Sequence, residues 1–123
     1  MGRFGSLAAG FLAGGYARYF LTARLAQALG PAFPYGTLAV NLSGCLAIGF
    51  IDALAEGRKL VSPEARLLLV TGFCGAYTTF SALILETSDL LGSGQTARAL
   101  LNYLGSGLGG FLLFRLGAWL GRA

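Results

Sequence analysis

The stretch GFCGAYTTFS, residues 72–81, lies inside residues 67–85, a run of 19 residues without a charged side chain. An α-helix needs roughly 20 apolar residues to cross the hydrocarbon core of a bilayer. Two glycines, two threonines and a serine are unusual at the centre of such a helix. Gly72 and Gly75 each lower helix propensity by about 1 kcal/mol relative to alanine. Together with the threonine pair, they predict a break in a membrane helix near the middle of the bilayer.

The whole chain has the composition of a membrane protein. Of its 123 residues, 55% are hydrophobic and only 11% are charged, too few for the polar surface of a soluble domain. Further uncharged runs cover residues 4–17, 25–51 and 99–114. The sequence therefore predicts an all-α integral membrane protein that forms a single domain, residues 1–123. Four transmembrane helices are expected over approximately residues 4–25, 35–55, 63–91 and 97–120.

The basic residues are spread along the chain. The net charge is +4, but the arginines and lysines lie singly near span ends and form no stripe that would bind nucleic acid. An even number of spans puts both termini on one side, which holds Arg3, Arg58, Lys59, Arg66 and Arg122. The other side holds Arg24 and Arg98. This bias favours cytoplasmic termini, yet it is shallow enough that the chain could insert in both orientations.

The sequence offers no catalytic set of residues. There is no histidine, which excludes Ser–His–Asp and Cys–His chemistry, and Glu86 is the only carboxylate well inside a span. Cys45 and Cys74 lack metal-ligand neighbours and are interpreted as small packing residues. The string GSGLGG, residues 105–110, lies inside the fourth span and is interpreted as a helix-packing element rather than a dinucleotide site. We therefore expect a protein that is not an enzyme.

A small polar set inside the spans indicates ion transport. It comprises Asn41, Thr78, Thr79, Ser81 and Glu86. Polar groups in hydrocarbon must be satisfied or must line a wet path. A lone asparagine can simply join two helices, and a threonine can bond its own helix. A broken helix, however, frees backbone groups as transport proteins do at ion sites. Carbonyl oxygens would hold a cation, whereas amide and hydroxyl hydrogens would face an anion.

Two motifs and their order resemble a known family. They are GTLAVNLSG at residues 36–44 and GFCGAYTTFS at residues 72–81, the latter followed by Glu86 five residues after Ser81. A glycine-rich first span that ends in Arg18-Tyr19 precedes them. In these features, over nearly the whole chain, the sequence resembles the Fluc (CrcB) family of small bacterial fluoride channels.

The resemblance implies an assembly and a function. Members pair as antiparallel, dual-topology homodimers with two pores along the interface, and the third helix of each subunit is broken. The carbonyls of Gly75 and Thr78 are expected to hold a structural sodium ion on the dimer axis. The expected function is a fluoride-selective channel that exports fluoride passively across the inner (plasma) membrane of a bacterium. Its partners would be fluoride, a second copy of the chain and the lipid bilayer, with no organic cofactor.

The resemblance also implies roles for individual residues. The pore or fluoride-binding set is Asn41, Thr79, Phe80, Ser81, Leu83, Tyr103 and Ser106; the vestibule set is Glu86 and Arg18. On the fourth span the match is approximate and leaves Ser106 and Gly107 as alternatives. The family reads Thr-Phe-Ser-Thr-Phe where this chain has Ala82 and Leu83 in the last two places. Leucine offers no positive ring edge to an anion, so we expect a pore that conducts more slowly.

Three alternatives remain open at the level of sequence. The chain could pair with a different subunit that supplies the missing ring, as part of a heteromeric fluoride channel. A small dual-topology multidrug or cation exporter would need an acid in the first span, and residues 4–25 contain none. A helical assembly without transport would explain the glycines but not the combination of Asn41, the threonine pair and Glu86.

Overall fold

The computed structural model describes residues 2–123, which form helices and connecting turns without a strand. Helix α1 spans Arg3–Leu29 and α2 spans Tyr35–Glu56. Helix α3 begins at Pro63 and ends at Tyr77, through the consecutive segments Pro63–Arg66, Leu67–Cys74 and Gly75–Tyr77. Helix α4 spans Ser81–Gly92, and α5 spans Thr96–Arg122. The segments Leu67–Cys74 and Gly105–Gly109 are wound as π-helix, a form that often accompanies functional sites.

Local residue chemistry sets several of the helix ends. The hydroxyl of Ser62 accepts a hydrogen bond from the amide of Ala65 at 3.1 Å, and Pro63 occupies the first helical position. Helix α1 ends at Leu29, four residues beyond the end expected at residue 25. Its stop is Gly30, which has a φ of 85° and donates its amide to the carbonyl of Ala26. A side chain at that φ would be strained, so glycine fixes the turn.

Three helical stretches in residues 2–123 are long and apolar enough to cross a membrane: Tyr35–Glu56, Pro63–Gly92 and Thr96–Arg122. Helix α1 has 27 residues and is therefore about 40 Å long at about 1.5 Å per residue. It contains Arg3, Arg18 and Arg24, and it does not meet the same requirement of length and composition together. The chain is thus a multi-pass membrane protein on the evidence of three helices, with α1 as a fourth helix of sufficient length.

Small residues let the helices pack closely. Helix α1 packs along α3, α2 packs along the second half of α5, and α4 packs against the first half of α5. Gly14 of α1 is buried against the backbone of Phe73, whose carbonyl oxygen occupies the place of a Cβ atom. Gly117 of α5 approaches the carbonyl of Leu46 on α2 in the same way. Backbones this close are typical of membrane helices that associate through small residues.

Candidate functional site

The link between α3 and α4 is held by a side chain from another helix. Thr78 has extended backbone angles, φ −86° and ψ 159°, between the last residue of α3 and the first of α4. The backbone amide of Thr79 donates to Oδ1 of Asn41 at 2.8 Å, and Nδ2 of Asn41 donates to the carbonyl of Thr79 at 3.0 Å. The amide group of Asn41 therefore takes the place of a neighbouring peptide and satisfies both backbone groups of Thr79 inside the membrane.

A groove of about 270 Å³ opens beside this link. It brings together six of the seven residues expected in the pore and adds three others. Its lining is Asn41, Cys45, Thr78, Thr79, Phe80, Leu83, Tyr103, Ser106 and Gly107, with Thr78 from the expected sodium site. Ser106 is buried and accepts a hydrogen bond from Nδ2 of Asn41 at 3.4 Å. The groove is therefore a polar site at which α2, α4, α5 and the link meet.

The expected pore residues differ in how they meet this groove. Phe80 has 69% of its surface exposed, whereas Leu83 is buried with 5% exposed. Ser81 is exposed and is not part of the groove lining. The structure therefore groups Phe80 and Leu83 at the groove and leaves Ser81 outside it. Both Ser106 and Gly107 line the groove, but Ser106 alone of the two can supply a hydroxyl.

A second cavity, of about 400 Å³, contains the expected vestibule residues. Arg18 and Glu86 both line it, together with Thr37 and Asp89. The hydroxyl of Thr37 donates to Oε2 of Glu86 at 2.8 Å. Nε of Arg18 donates to the carbonyl of Ala76, close to the end of α3, at 3.0 Å. Arg18 therefore contacts the helix end as well as lining the cavity.

Thr79 connects the two spaces. It is the residue that lines both the 270 Å³ groove and the 400 Å³ cavity. Its hydroxyl oxygen accepts from the amide of Ala82 at 3.3 Å, which leaves the hydroxyl hydrogen available for another acceptor. A polar path from the cavity at Glu86 to the groove at Ser106 consequently passes Thr79.

Two polar residues of this region were missed in the sequence. Thr37 is buried and lies one helical turn before Asn41 on α2. Asn102 is fully buried, lies one turn before Ser106 on α5, and donates from Nδ2 to the hydroxyl of Thr87 at 3.3 Å. A spacing of four residues places two side chains on the same helix face, and this signal could have found both Thr37 and Asn102. It also gives Asn102, rather than Tyr103, the same face as Ser106.

The link between α3 and α4 leaves two backbone carbonyls that could hold a cation. In a continuous helix, the carbonyl of Gly75 would accept from the amide of Thr79, and that of Thr78 from the amide of Ala82. Both amides donate to side-chain oxygens instead, those of Asn41 and Thr79. The carbonyls of Gly75 and Thr78 thus lose their usual helical donors, and Gly75 lies on the exposed side of the subunit. Residues 2–123 contain no cluster of acids and cysteines for a metal, so a cation here would depend on such backbone oxygens.

Comparison with known proteins gives the family. A sequence model described as "CrcB-like protein, Camphor Resistance (CrcB)" matches residues 6–118. The chain belongs to this family. It is 48% identical to the "Fluoride-specific ion channel FluC" of Trichormus variabilis, over 92% of this chain and 83% of the relative. The protein of the same name from Chlorobium phaeobacteroides strain BS1 is 49% identical over 93% of this chain and 88% of its own length.

A third relative covers almost the full length. The "Fluoride-specific ion channel FluC" of Nitratidesulfovibrio vulgaris is 43% identical over 99% of this chain and 98% of the relative. These matches confirm the resemblance to the CrcB family that the two motifs carried. The names of these relatives describe ion transport rather than catalysis, and they do not favour a multidrug exporter.

Proposed function

We propose that the chain is the subunit of a fluoride-selective ion channel that lets fluoride leave the cytoplasm passively and so lowers its toxicity. The observation that carries this proposal is the 270 Å³ groove at the link between α3 and α4, where hydroxyl groups and the ring of Phe80 meet. Fluoride is small and strongly hydrated, so it enters a narrow path only where hydrogen-bond donors replace its water. The names of the relatives support the same ion.

The donors of the pore are hydroxyls whose oxygens are already occupied. Ser106 accepts from Asn41, and Thr79 accepts from Ala82, so the hydrogen of each hydroxyl is free to turn toward an anion. The N–H groups of Asn41 point to Thr79 and Ser106. Asn41 therefore polarises Ser106 and orients it, while Ser81 and Tyr103 add donors on the exposed side. The edge of the Phe80 ring carries positive potential and contacts the ion.

Arg18 and Glu86 control the vestibule. The guanidinium of Arg18 lines the 400 Å³ cavity and attracts anions toward its mouth. Glu86 accepts from Thr37 and lines the same cavity as Thr79. Fluoride passes from the cavity along Thr79 into the groove.

The working assembly is an antiparallel, dual-topology homodimer in the inner membrane of a bacterium, with the helix break of each subunit at its centre. The exposure of groove residues supports a partner that closes the path, since Phe80 is 69% and Tyr103 is 43% exposed in the single chain. The shallow charge bias is consistent with insertion in both directions. Fluoride, the second copy and the bilayer are the partners.

A sodium ion bound by the carbonyls of Gly75 and Thr78 of both subunits is proposed as a structural element of this dimer. The diversion of the Thr79 and Ala82 amides supports the site, because it leaves those two carbonyls without their usual donors. The bound cation would supply positive charge that holds the facing carbonyl dipoles together. The residues of this chain keep the two carbonyls out of the backbone hydrogen bonds of the helix.

A heteromeric channel is a second candidate, and the observation that favours it is Leu83. Its side chain lies at the groove, where the family has a second ring, and it offers no ring edge. A different subunit with phenylalanine at this position would supply the missing contact.

Growth of bacteria tests the proposed physiology. Cells that lack their own fluoride channel are given this chain or an empty vector and are grown in sodium fluoride, with sodium chloride as the salt control. We expect the chain to restore growth in fluoride and to leave growth in chloride unchanged. Equal sensitivity with the chain and with the empty vector, when membrane expression is verified, would contradict fluoride export.

A further inference from the structure

The side chain of Asn41 contacts the cation-site backbone through one defined atom. Oδ1 of Asn41 accepts the amide hydrogen of Thr79 at 2.8 Å. In an unbroken helix that amide would belong to the carbonyl of Gly75. The acceptor oxygen of Asn41 therefore competes directly with the carbonyl of Gly75 for one donor, and in this structure the side chain holds it.

A second hydrogen bond between Asn41 and Thr79 keeps the amide of Thr79 on the side chain of Asn41 rather than on the carbonyl of Gly75. Nδ2 of Asn41 donates to the carbonyl of Thr79 at 3.0 Å, so the Asn41–Thr79 contact is bidentate. Asn41 is 93% buried, since only 7% of its surface is exposed, and this burial limits competition from water for these bonds. The bond from Asn41 to Ser106 is longer, at 3.4 Å, and it leads toward the groove rather than the backbone link.

We propose that Asn41 is a positioning residue for the sodium ion. By holding the amide of Thr79, it keeps the carbonyl of Gly75 free for the cation, and the same side chain orients Ser106 in the groove. The anion path and the cation site are thus connected through one amide group. This inference rests on the proposed function, because it takes the sodium site of that proposal as given.

Two substitutions separate the acceptor oxygen of Asn41 from the rest of the side chain. Asn41→Leu keeps a similar volume and removes the acceptor, so the amide of Thr79 can return to Gly75. Asn41→Asp keeps an acceptor oxygen and removes the donor. We expect the leucine variant to lose sodium binding and the aspartate variant to retain it, whereas both lower fluoride flux. Ser106→Ala is the matched control, because it removes the third Asn41 bond and leaves both Thr79 bonds.

The experiment measures the thermal midpoint of the purified dimer in detergent. Midpoints are recorded by circular dichroism in increasing sodium chloride, with N-methylglucamine chloride holding the ionic strength constant. A ligand that binds only the folded protein raises the midpoint with its concentration. We expect a sodium-dependent rise for the original chain, for Asn41→Asp and for Ser106→Ala, and none for Asn41→Leu. If the leucine variant yields no dimer, the midpoint of Asn41→Ala is measured instead, because that substitution removes the same oxygen without added bulk.

The outcomes distinguish this inference from the proposed function. An equal sodium response in the original chain and in Asn41→Leu would overturn the positioning role of Asn41 while leaving the sodium site intact. Absence of a sodium response in the original chain would overturn the sodium site and this inference together. Fluoride flux from the same preparations, reconstituted in liposomes, reports separately on whether the protein is a channel.

Discussion

Asn41 on α2 bonds both backbone groups of Thr79, a residue 38 positions further along the chain. The two contacts, at 2.8 and 3.0 Å, reproduce the pairing that one peptide gives another in a sheet. They occur between α3 and α4, where an unpaired amide or carbonyl would cost several kcal/mol in hydrocarbon, on the order of a lost hydrogen bond or more. A single side chain from α2 therefore offsets the free-energy cost of interrupting the helix at this depth.

The vestibule bond between Thr37 and Glu86 gives the first prediction. Thr37→Val keeps the shape of the side chain and removes the hydroxyl that donates to Oε2 of Glu86. A partly buried carboxyl that loses its donor costs about 1–3 kcal/mol, and we expect fluoride flux in liposomes to fall by roughly tenfold, the equivalent of about 1.4 kcal/mol. Thr96→Val, at the exposed start of α5, is the matched control and should leave flux unchanged. Equal flux in both variants would remove Thr37 from the path.

The aromatic contact at the groove gives the second prediction. Phe80→Leu removes the ring edge that meets the anion, and we expect fluoride flux to fall by at least tenfold, because this chain has no second ring at residue 83. Leu83→Phe adds a ring and should raise flux above that of the original chain. Leu85→Phe, at a position 62% exposed, controls for the added bulk. A chain that carries no fluoride until Leu83→Phe is introduced would contradict our expectation that the natural pore conducts.

Adjacent glycines in α1 give the third prediction. A Cβ atom at Gly14 would meet the backbone of Phe73, whereas a Cβ atom at Gly15 would meet nothing within 4 Å. Gly14→Ala should lower the free energy of unfolding by about 1–3 kcal/mol, the usual cost of overpacking. Gly15→Ala should change it little or raise it by about 0.5–1 kcal/mol, the helix preference of alanine over glycine. Denaturant unfolding in detergent compares them; equal midpoints would show that α1 and α3 do not pack at Gly14.

Membrane orientation gives the fourth prediction. Single cysteines are introduced as Leu60→Cys, an exposed position between α2 and α3, and as Ser93→Cys, between α4 and α5, in a background where Cys45 and Cys74 are replaced by alanine. In an antiparallel dimer each loop lies on both sides of the membrane. An impermeant maleimide applied to intact cells should label about half of each variant, as dual insertion requires. Full labelling of one loop with none of the other would indicate a single orientation and a parallel arrangement.

The sequence predicted where the helices lie better than it predicted which side of each helix faces a neighbouring helix. Length and apolar character follow from the bilayer, so the runs around Tyr35–Glu56 and Thr96–Arg122 were readable from composition. Which side of a membrane helix faces a neighbour is not marked by hydrophobicity, because lipid is as apolar as the core. For that reason the fully buried Asn102 was overlooked, whereas its neighbour Tyr103, which lines the groove, was chosen.

The site was predictable as a set of residue types but not as a set of bonds. The motif GFCGAYTTFS indicated a helix interruption, and the family resemblance connected it with Asn41. Neither could indicate that the side-chain amide of Asn41 bonds the backbone of Thr79, since that contact depends on the rotation of α2 against the link. The bond between Thr37 and Glu86, 49 residues apart, depends on the same rotation. Such contacts join residues that are far apart along the chain, and the periodicity of a helix does not reveal them.

Fluoride efflux from liposomes tests the central claim most directly. The purified chain is reconstituted alone, and release of fluoride is followed with a fluoride electrode while chloride release is measured from matched vesicles. The proposed channel predicts rapid fluoride release, chloride release close to that of empty vesicles, and loss of fluoride release in Phe80→Leu. Equal release of the two anions, or release of neither, would contradict the account.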